Sequence, residues 1–103
     1  MTRSMDKGKR GEREIVILAR AHGLSAERTW ETAQSSDPTE RQCDVRIAGR
    51  LAQVKLQGDG WRTLYAAMEG AELAFLRADR REWLCLVRAE DYFDLLNRQP
   101  EHV

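Results

Sequence analysis

The chain has 103 residues, of which 42% are hydrophobic and 33% charged, and its 17 basic residues balance 17 acidic ones. This length predicts one small domain over 1–103, with 1–6 as a flexible lead. No apolar run approaches the roughly 20 residues that cross a bilayer, and the start lacks the apolar segment of a secretory signal. We therefore expect a cytoplasmic protein with no membrane partner, and zero net charge gives no general electrostatic case for binding nucleic acid.

The first predicted helix runs from Lys7 to about His22, where Gly23 provides a stop signal. Its apolar stripe consists of residues that recur at helical spacing, namely Ile15, Leu18, Ala19 and His22. At about 100° per residue, Glu12 falls inside this apolar arc. Such an inward carboxylate either interacts with the positive end of the helix dipole or reaches a metal ion or its bound water. The hairpin further along the chain favours the second interpretation.

The start of this helix is rich in basic residues. We take them as candidate contacts to DNA phosphates, and they are Lys7, Lys9, Arg10 and Arg13. A basic edge on a neutral protein can grip phosphates at one site, and more strongly in a dimer. The alternative is that this segment is simply solvated.

A strand is predicted over 27–31, and a polar loop over 33–42 leads from it into the next strand. The loop contains Ser35 and Ser36, whose hydroxyl groups can contact DNA phosphates. Since loops are polar in any protein, these two serines are candidates on position alone.

The most informative stretch, over 43–55, is predicted to form a β-hairpin with Gly49-Arg50 as a two-residue type II′ turn. The predicted pairs are Ile47 with Ala52, Val45 with Val54, and Asp44 with Lys55. Side chains alternate along a strand, so Asp44, Gln53 and Lys55 share the polar face of this hairpin.

This polar face is typical of a magnesium site. The Asp44 carboxylate and the Gln53 amide oxygen can hold Mg²⁺, which prefers oxygen ligands and keeps several waters. The metal polarises a phosphodiester and lowers the pKa of a bound water, and Lys55 beside it stabilises charge on the phosphorus oxygens. The alternative is the solvated face of an ordinary surface hairpin.

The rest of the chain predicts a helix from Trp61 to near Gly70, strands over 73–76 and 83–87, and a last short helix over 91–96. Aromatic residues of the first of these helices are expected in the core rather than on a base-stacking platform. Both strands are apolar on consecutive residues, which is typical of buried strands, so the thiol of Cys85 is expected to be buried.

The order helix, strand, hairpin, helix, strand, strand, helix resembles the αβββαβ core of the PD-(D/E)xK nucleases over almost the whole chain. Cys43-Asp44 stands in place of "PD", and Gln53-Val54-Lys55 in place of "(D/E)xK". The resemblance implies an α/β, restriction-endonuclease-like fold with a central mixed sheet flanked by helices. Two departures are that no proline precedes the aspartate and that Gln53 replaces the second carboxylate.

The opening motif Lys7-Gly8-x-x-x-Glu12-Arg13-Glu14-Ile15 looks like the first helix of archaeal Holliday-junction resolvases. Those enzymes are small, homodimeric and Mg²⁺-dependent, and they cut four-way DNA junctions. The resemblance therefore implies a homodimer that binds branched DNA and uses Mg²⁺, with Mn²⁺ as a substitute. The catalytic residues that it implies are Glu12, Asp44, Gln53 and Lys55.

The resemblance also implies the metal ligands, which are the Asp44 carboxylate, the Gln53 side-chain oxygen and the backbone carbonyl of Val54. Glu12 would act through a water or a second ion. Three alternatives stay open: a degenerate nuclease fold that binds DNA or another partner, a restriction- or repair-type nuclease acting on other DNA, and a plain α/β domain with a polar hairpin face.

Overall fold

The computed structural model describes residues 3–29 and 44–99, with side chains from residue 9 onward. This part of the chain contains three helices and five strands, in the predicted order. Their bounds are α1 Arg3–Ala21, β1 Ala26–Arg28, β2 Val45–Ile47, β3 Arg50–Ala52, α2 Arg62–Ala67, β4 Leu73–Leu76, β5 Leu84–Val87 and α3 Ala89–Arg98. Within the same ranges, no helix has the length and apolar character needed to cross a membrane.

The chain divides into two compact units, Met1–Leu56 and Gln57–Val103. Strands β1, β2 and β3 form an antiparallel sheet in that order in the first unit, and β4 pairs antiparallel with β5 in the second. The fold is therefore mixed α/β, with small antiparallel sheets flanked by helices. The described strands lie in these two separate sheets rather than in one mixed sheet, and the single domain over 1–103 stays a prediction.

Helix α1 packs against the three-stranded sheet through contacts with β1 and β2. Among the described residues of this unit, the buried apolar side chains are Val16, Ala19, Ala26, Val45 and Ile47. The predicted stripe is confirmed at Ala19, and the rest of it is half-buried, while Val16 is buried although the stripe omitted it. The helix begins at Arg3 rather than at Lys7. A single glycine such as Gly8 costs a helix only about 1 kcal/mol, so it does not delay the start.

The predicted register of the hairpin is wrong by two residues. Ile47 pairs with Arg50 and Val45 with Ala52, so the turn is Ala48-Gly49 rather than Gly49-Arg50. Both turn residues have positive φ, 50° at Ala48 and 80° at Gly49, as a type I′ turn requires. A type I′ turn matches the twist of the flanking strands. Glycine suits the second position of a type I′ turn and also the first position of a type II′ turn, so Gly49 is compatible with both turns.

In the second unit, Met68 and Phe93 are the buried apolar side chains among the described residues. Arg88, just before α3, donates hydrogen bonds to the carbonyl oxygens of Met68 at 3.0 Å and Ala71 at 2.9 Å. These two bonds satisfy carbonyl groups beyond the end of α2 and tie them to the start of α3. The predicted bounds of β4 are confirmed, and α3 is longer than predicted at both ends.

The prediction that β4, β5 and the aromatic residues at the start of the predicted 61–70 helix are buried is wrong. The exposed fractions are 65% for Phe75, 55% for Leu84, 42% for Trp61 and 74% for Tyr65, and Cys85 is also exposed. Two strands and two short helices carry too little chain to cover both faces of a sheet. Consecutive apolar residues therefore do not mark burial in this unit.

Candidate functional site

Asp44 is held at the entrance to β2 by three hydrogen bonds. Its N–H donates to the carbonyl oxygen of Ala52 at 2.9 Å, and its own carbonyl oxygen accepts from the N–H of Thr29 at 3.2 Å. Its carboxylate oxygen Oδ2 accepts from the N–H of Val54 at 2.7 Å. The backbone and the side chain of this half-buried aspartate are thus both fixed by the neighbouring strands.

A local irregularity determines where the Asp44 side chain goes. Ala52 already pairs with Val45 in the strand register, and its carbonyl also accepts the N–H of Asp44. Two residues of one strand thus oppose one residue of the next, the arrangement of a β-bulge, which re-aims a side chain. The predicted pair of Asp44 with Lys55 is wrong, because the bulge and the shifted register bring the carboxylate to Val54 instead.

Val54 is the point where the predicted motifs meet. Its N–H binds Asp44, and Gln53 and Lys55 flank it in the sequence, both exposed and both just beyond the end of β3. A Cβ atom built on Gly11 of α1 would lie 3.2 Å from the Val54 Cγ1 atom, so the helix backbone approaches Val54 closely. The structure therefore brings Asp44, the Gln53–Lys55 segment and the helix residue next to Glu12 to one place.

Glu12 is half-buried, whereas Arg13 and Glu14 after it are exposed. This difference agrees with the helical phase that placed Glu12 within the apolar arc. Gly11 and Thr29 are the residues of this site that the sequence interpretation missed. The available signal for Gly11 was a glycine inside a helical pattern, directly before an inward carboxylate, at a position where alanine would favour the helix by about 1 kcal/mol.

Gly11→Val should lower the free energy of unfolding by about 1–3 kcal/mol, because the added side chain overpacks the contact with Val54. The Cβ atom alone would also be in van der Waals contact with the Cβ atom of Leu56 at 3.5 Å, so valine would add two methyl groups where contacts already exist. Urea unfolding followed by circular dichroism measures the change. Arg13→Val, at an exposed position of the same helix, is the control and should cost a few tenths of a kcal/mol. Equal losses in the two variants would contradict the close approach.

The structure describes the side chains of three of the six candidate DNA-contact residues. Lys9, Arg10 and Arg13 are exposed on α1, and the backbone oxygen of Lys9 accepts a hydrogen bond from Arg28 Nη2 at 3.3 Å. Lys7 lies in α1, with its side chain outside the described residues. Ser35 and Ser36 lie outside the described residues altogether.

The donor set around Val54 is small for a metal. Among residues 9–29 and 44–99, no group of three or more histidine, cysteine, aspartate or glutamate side chains is arranged to hold an ion. The available oxygens are the Asp44 carboxylate, the Gln53 amide oxygen and the Val54 carbonyl. This set fits a Mg²⁺ ion that keeps most of its waters and shares the phosphates of a substrate, but not an ion enclosed by protein alone.

Comparisons of the chain with protein families, curated proteins and solved structures find no match. The nuclease hypothesis therefore depends on the motifs around Asp44 and Gln53-Val54-Lys55 and on the geometry that joins them at Val54.

Proposed function

We propose that the protein is a Mg²⁺-dependent DNA endonuclease that acts as a cytoplasmic homodimer on branched DNA, with four-way junctions as the first candidate substrate. The observation that carries the proposal is the hydrogen bond from the Val54 N–H to the Asp44 carboxylate, at 2.7 Å. It supports the proposal because it joins the two halves of the motif, which are nine residues apart in the sequence.

Each residue has a separate task in this mechanism. Asp44, the Gln53 side-chain oxygen and the Val54 carbonyl would hold the ion, which supplies Lewis-acid activation of the phosphodiester and of a bound water. Lys55 places a positive charge against the phosphorus oxygens, where negative charge grows in the transition state. Glu12 orients the attacking water. Because Asp44 is fixed before substrate binds, it loses little conformational freedom when the site is used.

A second candidate function is a nuclease fold that binds DNA or another partner without cutting. Two observations favour it: the described residues contain no cluster of three metal-binding side chains, and Gln53 stands where a carboxylate is expected. A neutral amide offers one oxygen and no charge, so it holds Mg²⁺ more weakly than a glutamate does.

Lys55→Met tests the nuclease directly, because it keeps the length of the side chain and removes its charge. Labelled four-way junction, linear duplex and single strand are incubated with Mg²⁺ or Mn²⁺. We expect cleavage by the wild-type protein and a loss on the order of 10²- to 10³-fold in Lys55→Met. Arg98→Met removes an exposed cation from α3 and should cut like the wild type.

The substrate profile separates the remaining possibilities. Two symmetric cuts in opposed strands of the junction indicate a resolvase dimer, and cutting of linear or mismatched DNA indicates a restriction- or repair-type enzyme. Binding without cleavage, with activity gained in Gln53→Glu, indicates a degenerate member of the fold. Absence of both binding and cutting would leave a plain α/β domain and overturn the proposal.

A further inference from the structure

The β4–β5 hairpin presents an exposed face that contains two aromatic rings and a guanidinium group. Phe75 pairs with Cys85; extending the register by one pair beyond the strand ends would set Arg77 opposite Trp83, and the contact between these two side chains agrees with it. Because residues two apart on a strand share a face, these four side chains lie on one side of the hairpin. We call them the aromatic face: Phe75, Arg77, Trp83 and Cys85.

The rings of the aromatic face are accessible. Phe75 and Trp83 are each 65% exposed, and they occupy diagonal positions on adjacent strands. Diagonal neighbours are about 7–8 Å apart, a separation that lets each ring take a partner of its own. The Arg77 Cζ atom lies over the Trp83 ring, 5.3 Å from its centroid, so a positive charge is held against one face of that ring.

The charge of the hairpin is mixed but favours anions at the aromatic face. Residues 77–82 include three arginines and two acids, and of these only Arg77 belongs to the aromatic face. Arg81 contacts its neighbour Glu82 at 3.9 Å, so one acid is occupied within the turn itself. With three arginines and two acids, residues 77–82 carry a formal charge of +1, and the cation in contact with an exposed ring is Arg77.

We infer that the aromatic face binds unpaired nucleobases of single-stranded or branched DNA. Phe75 and Trp83 each stack on a base, and Arg77 contacts the phosphate that links neighbouring nucleotides, the combination that sequence-tolerant single-strand binding uses. This inference deepens the proposed function, on which it rests for the choice of DNA. A surface for unpaired bases would also direct the enzyme toward branched DNA that contains single-stranded segments and away from intact duplex.

The exposed area favours bases over a second copy of the chain. Leu73 lies two residues before Phe75 on β4 and is also exposed on this side of the hairpin. The accessible parts of Leu73, Phe75 and Trp83 amount to roughly 400 Å², taking about 150–250 Å² for a large apolar side chain in full. A stable protein interface needs about 800 Å² and roughly 20–30 residues from each partner, so a second copy would need surface well beyond this face. A single base needs only the face of one ring, which each of these aromatic residues offers.

The test is binding of a labelled short oligothymidylate and of a matching duplex, with EDTA present so that no cleavage is needed. Leucine variants separate stacking from simple apolar contact, because leucine keeps the apolar surface but has no π-face. We expect Trp83→Leu and Phe75→Leu each to weaken single-strand binding on the order of 5- to 100-fold, and Trp83→Phe to keep most of it. Tyr65→Leu, at a 74% exposed aromatic residue outside the face, should bind normally.

The outcomes also separate this inference from the proposed function. Single-strand binding that depends on both rings supports the inference even if no substrate is cut, and cutting without such binding supports only the nuclease. No binding by the wild-type protein, or equal binding by the leucine variants, overturns it. Loss of self-association in Trp83→Leu, measured by sedimentation, would overturn it by assigning the face to a second copy. Circular dichroism checks that each variant is folded.

Discussion

Asp44→Asn is expected to reduce metal-dependent cleavage by about a hundredfold or more while leaving the protein folded. Loss of a group that merely supports a metal ligand costs about 10- to 100-fold, and a ligand should cost at least as much. The asparagine retains a carbonyl oxygen that can accept the Val54 N–H, which Asp44 now binds at 2.7 Å. The variant thus removes the negative charge and preserves the contact that holds the hairpin end. Initial cleavage rates at saturating Mg²⁺ measure the effect.

Two companion variants define what the Asp44 result means. Asp44→Ala removes the acceptor as well as the charge, leaving the Val54 N–H without its partner, so it should also lower stability by about 1–3 kcal/mol. Asp91→Asn, at an exposed position in the first turn of α3, controls for the loss of one negative charge and should cut normally. If Asp44→Asn cuts as fast as the wild-type protein, Asp44 is a structural residue. Its hydrogen bond to Val54 would then no longer support the nuclease proposal.

The candidate site was predictable because the error in the hairpin register was a shift by two residues, an even number. A shift of two residues preserves which side chains face the core, so Val45 and Ile47 are buried in either register. Apolar patterning therefore cannot choose between the turns Gly49-Arg50 and Ala48-Gly49. The choice depends on an alanine adopting positive φ, and on a bulge at Asp44 that responds to hydrogen bonds across the sheet. Neither leaves a pattern in the sequence.

The second unit shows the opposite case, in which element positions were predictable and burial was not. Strand β4 and the region of α3 follow directly from their local patterns. Exposure at Phe75 and Trp83 does not, because whether an apolar strand is covered depends on how much chain is available to pack on it. The same missing information separates a core aromatic residue from one that binds a ligand. That distinction is why the aromatic face emerged only from the structure.

Phe93→Ala is expected to have the largest effect on stability, a loss of about 3–5 kcal/mol. Phe93 is 2% exposed on α3, and its ring lies 6.1 Å from that of Tyr92. Together with Met68 it forms the buried apolar part of the second unit within the described residues, so its removal leaves a cavity that few neighbours can fill. Against a typical total of 5–15 kcal/mol, this loss removes a large share of the stability and raises the population of opened molecules. Leu95→Ala, at a 51% exposed position of the same helix, is the matched control and should cost less than about 1 kcal/mol.

This variant also tests whether the chain is one cooperative domain. If 1–103 folds as a single unit, amide exchange in Phe93→Ala should accelerate equally at Val45 of the first unit and at Leu86 of the second, because both open in the same transition. If the two compact units are independent, Val45 stays protected while Leu86 exchanges quickly. That second outcome would contradict the predicted single domain. It would also leave the candidate site intact, since all the contacts that hold Asp44 lie within the first unit. Cleavage by Phe93→Ala would then persist on substrates that do not require the aromatic face.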